Sequence, residues 1–120
     1  LLAIMAEWGS TSHSYADRVM NIMGLDGASV VLDSGKTLTR TTSFAARSNG
    51  GFFLNGADVN GVAGSQTVFS DASVDTITGN AGSDWFLANI INEAGNGDAK
   101  DIITDLSNSD GASDIDRDLL

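Results

Sequence analysis

Cysteine and proline are both absent from the 120 residues. Without cysteine the chain has no disulfide and no thiolate to act as nucleophile or metal ligand. Without proline the turns rest on glycine, of which there are 14. There is a single histidine, His13. It sits among Ser10, Ser12, Ser14 and Asp17, but nearness in sequence is not triad geometry, and no G-x-S-x-G elbow is present. A lone histidine in a serine-rich connection is expected to be exposed. Glu7 and Asp17 could serve as an acid and a base only if something made them share burial, and the sequence offers no sign of that. No enzyme is expected, since neither an activated nucleophile nor a paired base is visible. The glycine-rich turns lack the Lys-Ser/Thr of a phosphate loop. No stretch approaches the ~20 apolar residues of a membrane helix, and no basic region precedes LLAIM as a signal peptide requires. The chain opens inside a helical pattern and reads as a piece of something longer.

Basic residues are scarce too: six Lys and Arg against sixteen Asp and Glu, a formal charge of −10. The imbalance is local. Residues 1–60 carry five acids against four bases, whereas residues 61–120 carry eleven acids against two bases, Lys100 and Arg117. Such a half repels phosphate backbones and anionic lipid surfaces, so neither nucleic acid nor a membrane is an expected partner. Its carboxylates either keep the chain soluble or hold cations. A hydrophobic fraction of 42 % with 18 % charged residues is that of a globular chain long enough for one domain.

Leu1, Ile4, Met5 and Trp8 fall at helical spacing. Ser14 and Asp17 form a capping box ahead of a second apolar stripe, Tyr15, Val19, Ile22 and Met23, which Gly24 closes. Residues 1–24 therefore predict a helical hairpin whose apolar faces need a partner surface. SVVLDSGKTLT predicts a β-hairpin turning at Asp33-Ser34-Gly35. SFAAR and GFFLN read as further short strands, with Phe44, Phe52, Phe53 and Leu54 in the core. Residues 25–60 are thus a strand array.

From Gly61 a nine-residue unit recurs: GVAGSQTVF (61–69), SDASVDTIT (70–78), GNAGSDWFL (79–87) and, after eight residues, NGDAKDIIT (96–104). Position six reads Gln66, Asp75, Asp84 and Asp101, and position eight reads Val68, Ile77, Phe86 and Ile103. Glycine is needed where the backbone takes positive φ or where carbonyls crowd. The apolar eighth residue suits a half-buried strand. Periods this short belong to solenoids. With two units per coil, residues 18 apart would stack, and rows of turns would face each other with carbonyl and carboxylate oxygens. Calcium takes six to eight such oxygens. Trp85 points outward in this pattern and is expected to pack beneath the N-terminal helices. DLSNSDGASDID fails the EF-hand template, because Gly111 falls at position seven counted from Asp105. Its acids read as a solvated tail, 107–120, as does Asp98 in its turn.

GNAGSDWFL resembles the hemolysin-type calcium-binding nonapeptide of RTX proteins, G-G-x-G-x-D-x-U-x, with Asn80 in place of the second glycine. The run TVFSDASVDTITGNAGSDWFLAN followed by DIITDL, with AIMAEW and SYADRVMNIMG upstream, is similar to the C-terminal region of large secreted RTX-like proteins. The resemblance implies a calcium-binding parallel β-roll exported by type I secretion. Asp84, Gly79, Ala81, Gly82, Asp75 and Asp101 would then be the metal-site residues.

The expected fold is mainly β: a small parallel β-roll or solenoid at 61–106, a short strand array and two N-terminal helices, all in one domain. The expected function is that of a non-catalytic calcium-binding module of a secreted, extracellular protein, ordered by external calcium. Its expected partners are calcium ions, the rest of a longer parent chain, and cell-surface or type I secretion machinery. The alternative is a structural or adhesive β-solenoid fragment that folds without metal.

Overall fold

The computed structural model describes residues 1–56, 66–69, 73–90 and 100–114. Much of the first and fourth nonapeptides, Glu93, Asp98 and the tail after 114 lie outside these residues.

Two helices open the chain, α1 (Leu2–Trp8) and α2 (Tyr15–Met23). The capping box at α2 forms as the sequence predicts: the Ser14 side chain accepts from the Asp17 N–H, and the Asp17 carboxylate accepts from the Ser14 N–H. Gly24 ends the helix in the left-handed conformation, φ 76 and ψ 25. Its N–H and that of Leu25 close back onto Asn21 and Met20 carbonyls. A side chain at Gly24 would also meet the Phe53 ring at 3.0 Å, so glycine is required there twice over. The helices are tied by an edge-on Trp8–Tyr15 contact, centroids 6.3 Å apart. Arg18 lies over the Trp8 ring and donates to the Trp8 carbonyl.

An antiparallel hairpin follows, β1 (Ser29–Val31) and β2 (Thr37–Thr39), with Val30 opposite Leu38. Leu32 and Leu38 from the hairpin meet Val19 and Met20 from α2, and these four form one buried cluster; Ile22, Phe86, Ala88 and Ala112 are buried as well. Tyr15, Met23 and Trp85 pack against it. Trp85 thus lies under the helical half, as expected.

The expected strands at SFAAR and GFFLN do not form. Phe44–Ala46 is a single 3₁₀ turn, and residues 52–55 are irregular. Phe44 and Phe53 stack on each other with Arg47 laid over Phe44, and both are only half buried. Phe52 is 67 % exposed. These aromatics satisfy each other and an arginine at the surface, so they are not core.

The larger correction concerns the β-roll. Among the described residues there is no roll and no solenoid, and the fold is mixed α/β with three two-stranded sheets. Besides the hairpin, β3 (Thr76–Ile77) pairs in parallel with β5 (Ile102–Ile103), and β4 (Trp85–Ala88) pairs in parallel with β6 (Gly111–Asp114). Thr76 lies opposite Ile102 and Trp85 opposite Gly111, so both pairs share an offset of 26 residues, not 18. The reason is the interruption of the repeat: the eight residues 88–95 separate the third unit from the fourth, so segments two units apart lie 26 residues apart, not 18.

Candidate functional site

The 26-residue offset has a sequence counterpart. Residues 75–84 (DTITGNAGSD) and 101–110 (DIITDLSNSD) agree at Asp75/Asp101, Ile77/Ile103, Thr78/Thr104, Ser83/Ser109 and Asp84/Asp110. The nine-residue repeat hides this match, because it places Asp101 beside Asp84 in phase and so obscures its true counterpart, Asp75. Comparing the two DxIT strings directly would have found it.

Three aspartates of the downstream segment reach back to backbone N–H groups of the upstream one. Asp101 accepts from Asp75 N at 2.9 Å and from Asn89 N at 2.8 Å. Asp105 accepts from Gly79 N at 3.0 Å and Asn80 N at 2.7 Å. Asp110 accepts from Asp84 N at 2.8 Å, while its other oxygen takes the N–H and hydroxyl of Ser107, both at 2.9 Å. The threonines pair between Thr78 and Thr104 at 2.6 Å, and Ser109 Oγ donates to the Gly82 carbonyl. Each carboxylate therefore closes N–H groups that lie just beyond the ends of the short strands β3 and β4. The Asp84 N–H bond, then the two Ser107 bonds, hold the Asp110 carboxyl below the usual carboxylate range. Asp105 and Asp110 were expected in a solvated tail; they are structural.

The residues proposed from the nonapeptide divide. Asp75 and Asp101 meet through the N–H bond just described. Gly79 and Asp84 meet separately: a Cβ on Gly79 would lie 2.5 Å from Asp84 Oδ2, so the carboxylate occupies the space that glycine leaves. Ala81 is exposed, and Gly82 holds φ 126. Asp84 Oδ2 is shielded from solvent and has no hydrogen-bond partner. Among the described residues no group of three or more acidic or histidine side chains converges as a metal cage would. The oxygens of Asp101 face backbone donors, which does not fit a cation site there. Asp84, with one orphaned oxygen, fits one better.

A polar cleft of about 260 Å³ lies between the hairpin turn and the 106–110 loop, lined by Ser34, Lys36, Ser107 and Asp110 among others. Lys36 Nζ bridges it to the Asn108 carbonyl at 2.6 Å. Tyr15 connects the two halves of the molecule by donating to the Asp84 carbonyl at 2.7 Å. Burial, with Asp110 next in effect, pushes the phenol up to about 12.

The helical half holds a second polar cluster that the sequence concealed. Glu7 is fully buried. Its oxygens accept from His13 Nδ1 at 2.8 Å, Asn21 Nδ2 at 2.9 Å and Ser48 N at 2.6 Å. The His13 side chain is 6 % exposed, not the solvated residue expected. Asn21 Oδ1 accepts from Arg40 Nη1 at 2.6 Å, and the same guanidinium donates to the Leu25 and Gly27 carbonyls. Asp17 is also fully buried. Burial pushes its carboxyl up, but bonds from Thr41, Thr42 and Ser14 outweigh that and hold it well below the carboxylate range. Glu7 and Asp17 thus share burial after all, each saturated by donors of the fold. Ser10 and Ser12 hydroxyls bond each other at 3.1 Å, and His13 spends Nδ1 on Glu7.

Compared with known proteins, the chain matches no family model, no curated protein and no solved structure.

Proposed function

We propose that this chain is a non-catalytic structural module of a larger exported protein, in which aspartates serve as staples between chain segments. The observation that carries this reading is the set of backbone N–H bonds accepted by Asp101, Asp105 and Asp110 across the 26-residue register. A carboxylate that accepts two or three N–H and O–H donors has both oxygens engaged by the fold, and charge-assisted bonds of this kind are the strong ones. The buried Glu7 and Asp17 clusters follow the same logic, with every donor drawn from the fold. Membership of an exported, extracellular parent chain rests on the RTX-like motif at 79–87.

A second reading, calcium binding, is favoured by one observation. The Asp84 Oδ2 atom is shielded and without a partner, beside the glycine whose absent side chain makes room for it. The two readings separate in thermal unfolding with calcium and with chelator. An ion of millimolar affinity at about 5 mM calcium would add about 1 kcal/mol, or about 4 °C for a chain of this length. The structural reading expects no shift in midpoint. A rise of that size that is lost in Asp84→Asn would replace it with the calcium reading.

A further inference from the structure

Six dipeptides in this sequence are chemically labile. Four are Asn-Gly (49–50, 55–56, 60–61, 96–97) and two are Asp-Gly (26–27, 110–111). In each, the glycine nitrogen can attack the preceding side-chain carbonyl, because glycine has no Cβ to hinder the approach and its backbone turns freely. Of the six, 49–50, 55–56, 26–27 and 110–111 lie among the described residues.

Three of these four are blocked by their surroundings. Asn49 is fully buried, and its amide nitrogen is anchored to the Asn21 and Phe52 carbonyls at 2.9 and 2.8 Å. Asn55 is 7 % exposed, its own N–H bonded to Thr67 Oγ1 and its carbonyl to Thr67 N and Val68 N. At Asp110 both reactants are engaged. The carboxylate is held by Asp84 and Ser107, and the attacking nitrogen, Gly111 N, donates to the Asp84 carbonyl at 2.9 Å.

Asp26–Gly27 differs on every count. Both residues are exposed in the bend between α2 and β1. A side chain on Gly27 would meet nothing closer than the Ser29 carbonyl at 3.8 Å. Neither the Asp26 carboxyl nor the Gly27 N–H makes a hydrogen bond among the described residues. What holds the bend is Arg40, whose guanidinium grips the Leu25 and Gly27 carbonyls on either side.

We infer that Asp26–Gly27 is a modification site, where the folded chain closes a succinimide and converts to isoaspartate. Gly27 N bonds to Asp26 Cγ in its protonated carboxyl form, the Cγ–OH bond breaks, and water leaves carrying the nitrogen's proton. Hydrolysis then adds water across one of the two imide carbonyls. One route restores aspartate; the other leads the main chain through the side chain. The second product adds a methylene to the backbone between the two carbonyls that Arg40 grips, so the guanidinium loses one of them. The fold thereby inverts the intrinsic order, in which asparagine amides cyclise faster than aspartate carboxylates.

The test is to incubate the folded chain at neutral pH and physiological temperature, then map isoaspartate at these four dipeptides by peptide mass spectrometry and enzymatic isoaspartate methylation. Isoaspartate is expected first at 26, at least about tenfold ahead of 49, 55 and 110, whose reaction waits on local opening. In denaturant the order should revert, with Asn49 and Asn55 ahead. Asp26→Glu, which would need a larger ring, should lose the signal while keeping the wild-type circular dichroism, since the Asp26 side chain is exposed and accepts no hydrogen bond among the described residues. Conversion at 49, 55 or 110 as fast as at 26 in the folded chain overturns the inference, as does a signal at 26 that is no faster than theirs.

Discussion

Replacing Asp17 with Asn tests whether buried carboxylates saturated by donors hold this fold together. Oδ1 accepts from Thr41 N at 2.7 Å and Thr42 N at 3.1 Å. Oδ2 accepts from Ser14 N at 3.2 Å, Ser14 Oγ at 2.8 Å and the Thr41 hydroxyl. An asparagine must put its NH₂ on one side or the other. On the Oδ1 side it would face two backbone N–H groups that cannot turn away. On the Oδ2 side it faces one, and the two hydroxyls can rotate to accept. The amide therefore takes the second orientation, which orphans Ser14 N and removes the charge from the remaining bonds. The cost is about 2–3 kcal/mol. At about 2.1 cal/mol/K per residue this lowers the melting midpoint by about 8–12 °C. The pH dependence supplies an independent check. Because the folded-state pKa lies below the unfolded value, Asp17 stabilises the fold above about pH 4 and loses that contribution as pH falls through the depressed folded value. The gap between wild type and Asp17→Asn should therefore close as the pH is lowered below about 4. A midpoint within about 2 °C of wild type at neutral pH, or a gap that widens in acid, refutes the reasoning.

Tyr15 is the only tyrosine, so its ultraviolet titration is read without interference. The midpoint is expected at about 12 in the folded chain and near ~10 in denaturant. Its stabilising contribution is complete below the unfolded value and fades as pH rises through the folded one; a folded midpoint near ~10 would mean the phenol is not buried against Asp84. Gly79→Ala places a Cβ 2.8 Å from Phe86 Cζ and against the Asp84 carboxylate. It should lower stability in urea by about 1–3 kcal/mol, and an unchanged unfolding midpoint would show that the two segments pack otherwise.

The helical half was legible because its signals are local. Ser14, Asp17 and Gly24 satisfy or terminate a helix through neighbours three or four residues away, and Asp33-Ser34-Gly35 turns a hairpin by its own backbone. The second half was read with strands in the right place at three of four units, Val68 lying in none, and with the wrong period. Ile77, Phe86 and Ile103 do lie in strands, and Trp85 does lie under the helices. The nonapeptide spacing, however, put Asp75 and Asp84 into equivalent half-coils, whereas the chain pairs them with Asp101 and Asp110. Repeat phase is set by which N–H groups a carboxylate reaches, and several phases are compatible with one string of Gly and Asp.

By itself the sequence determined the helix boundaries, the hairpin register and the concentration of acids in the second half, because each depends on side chains and backbone within a few residues. Only the tertiary structure decided what the acids of either half do. Whether an aspartate is solvated, bound to a cation or closed onto amide hydrogens depends on which donors lie opposite it. For Asp110 they come from Asp84 as well as Ser107 next door, for Asp17 from Thr41 and Thr42, and for Glu7 from Ser48. Apart from Ser107, these partners are 24 to 41 residues away. No local pattern encodes them.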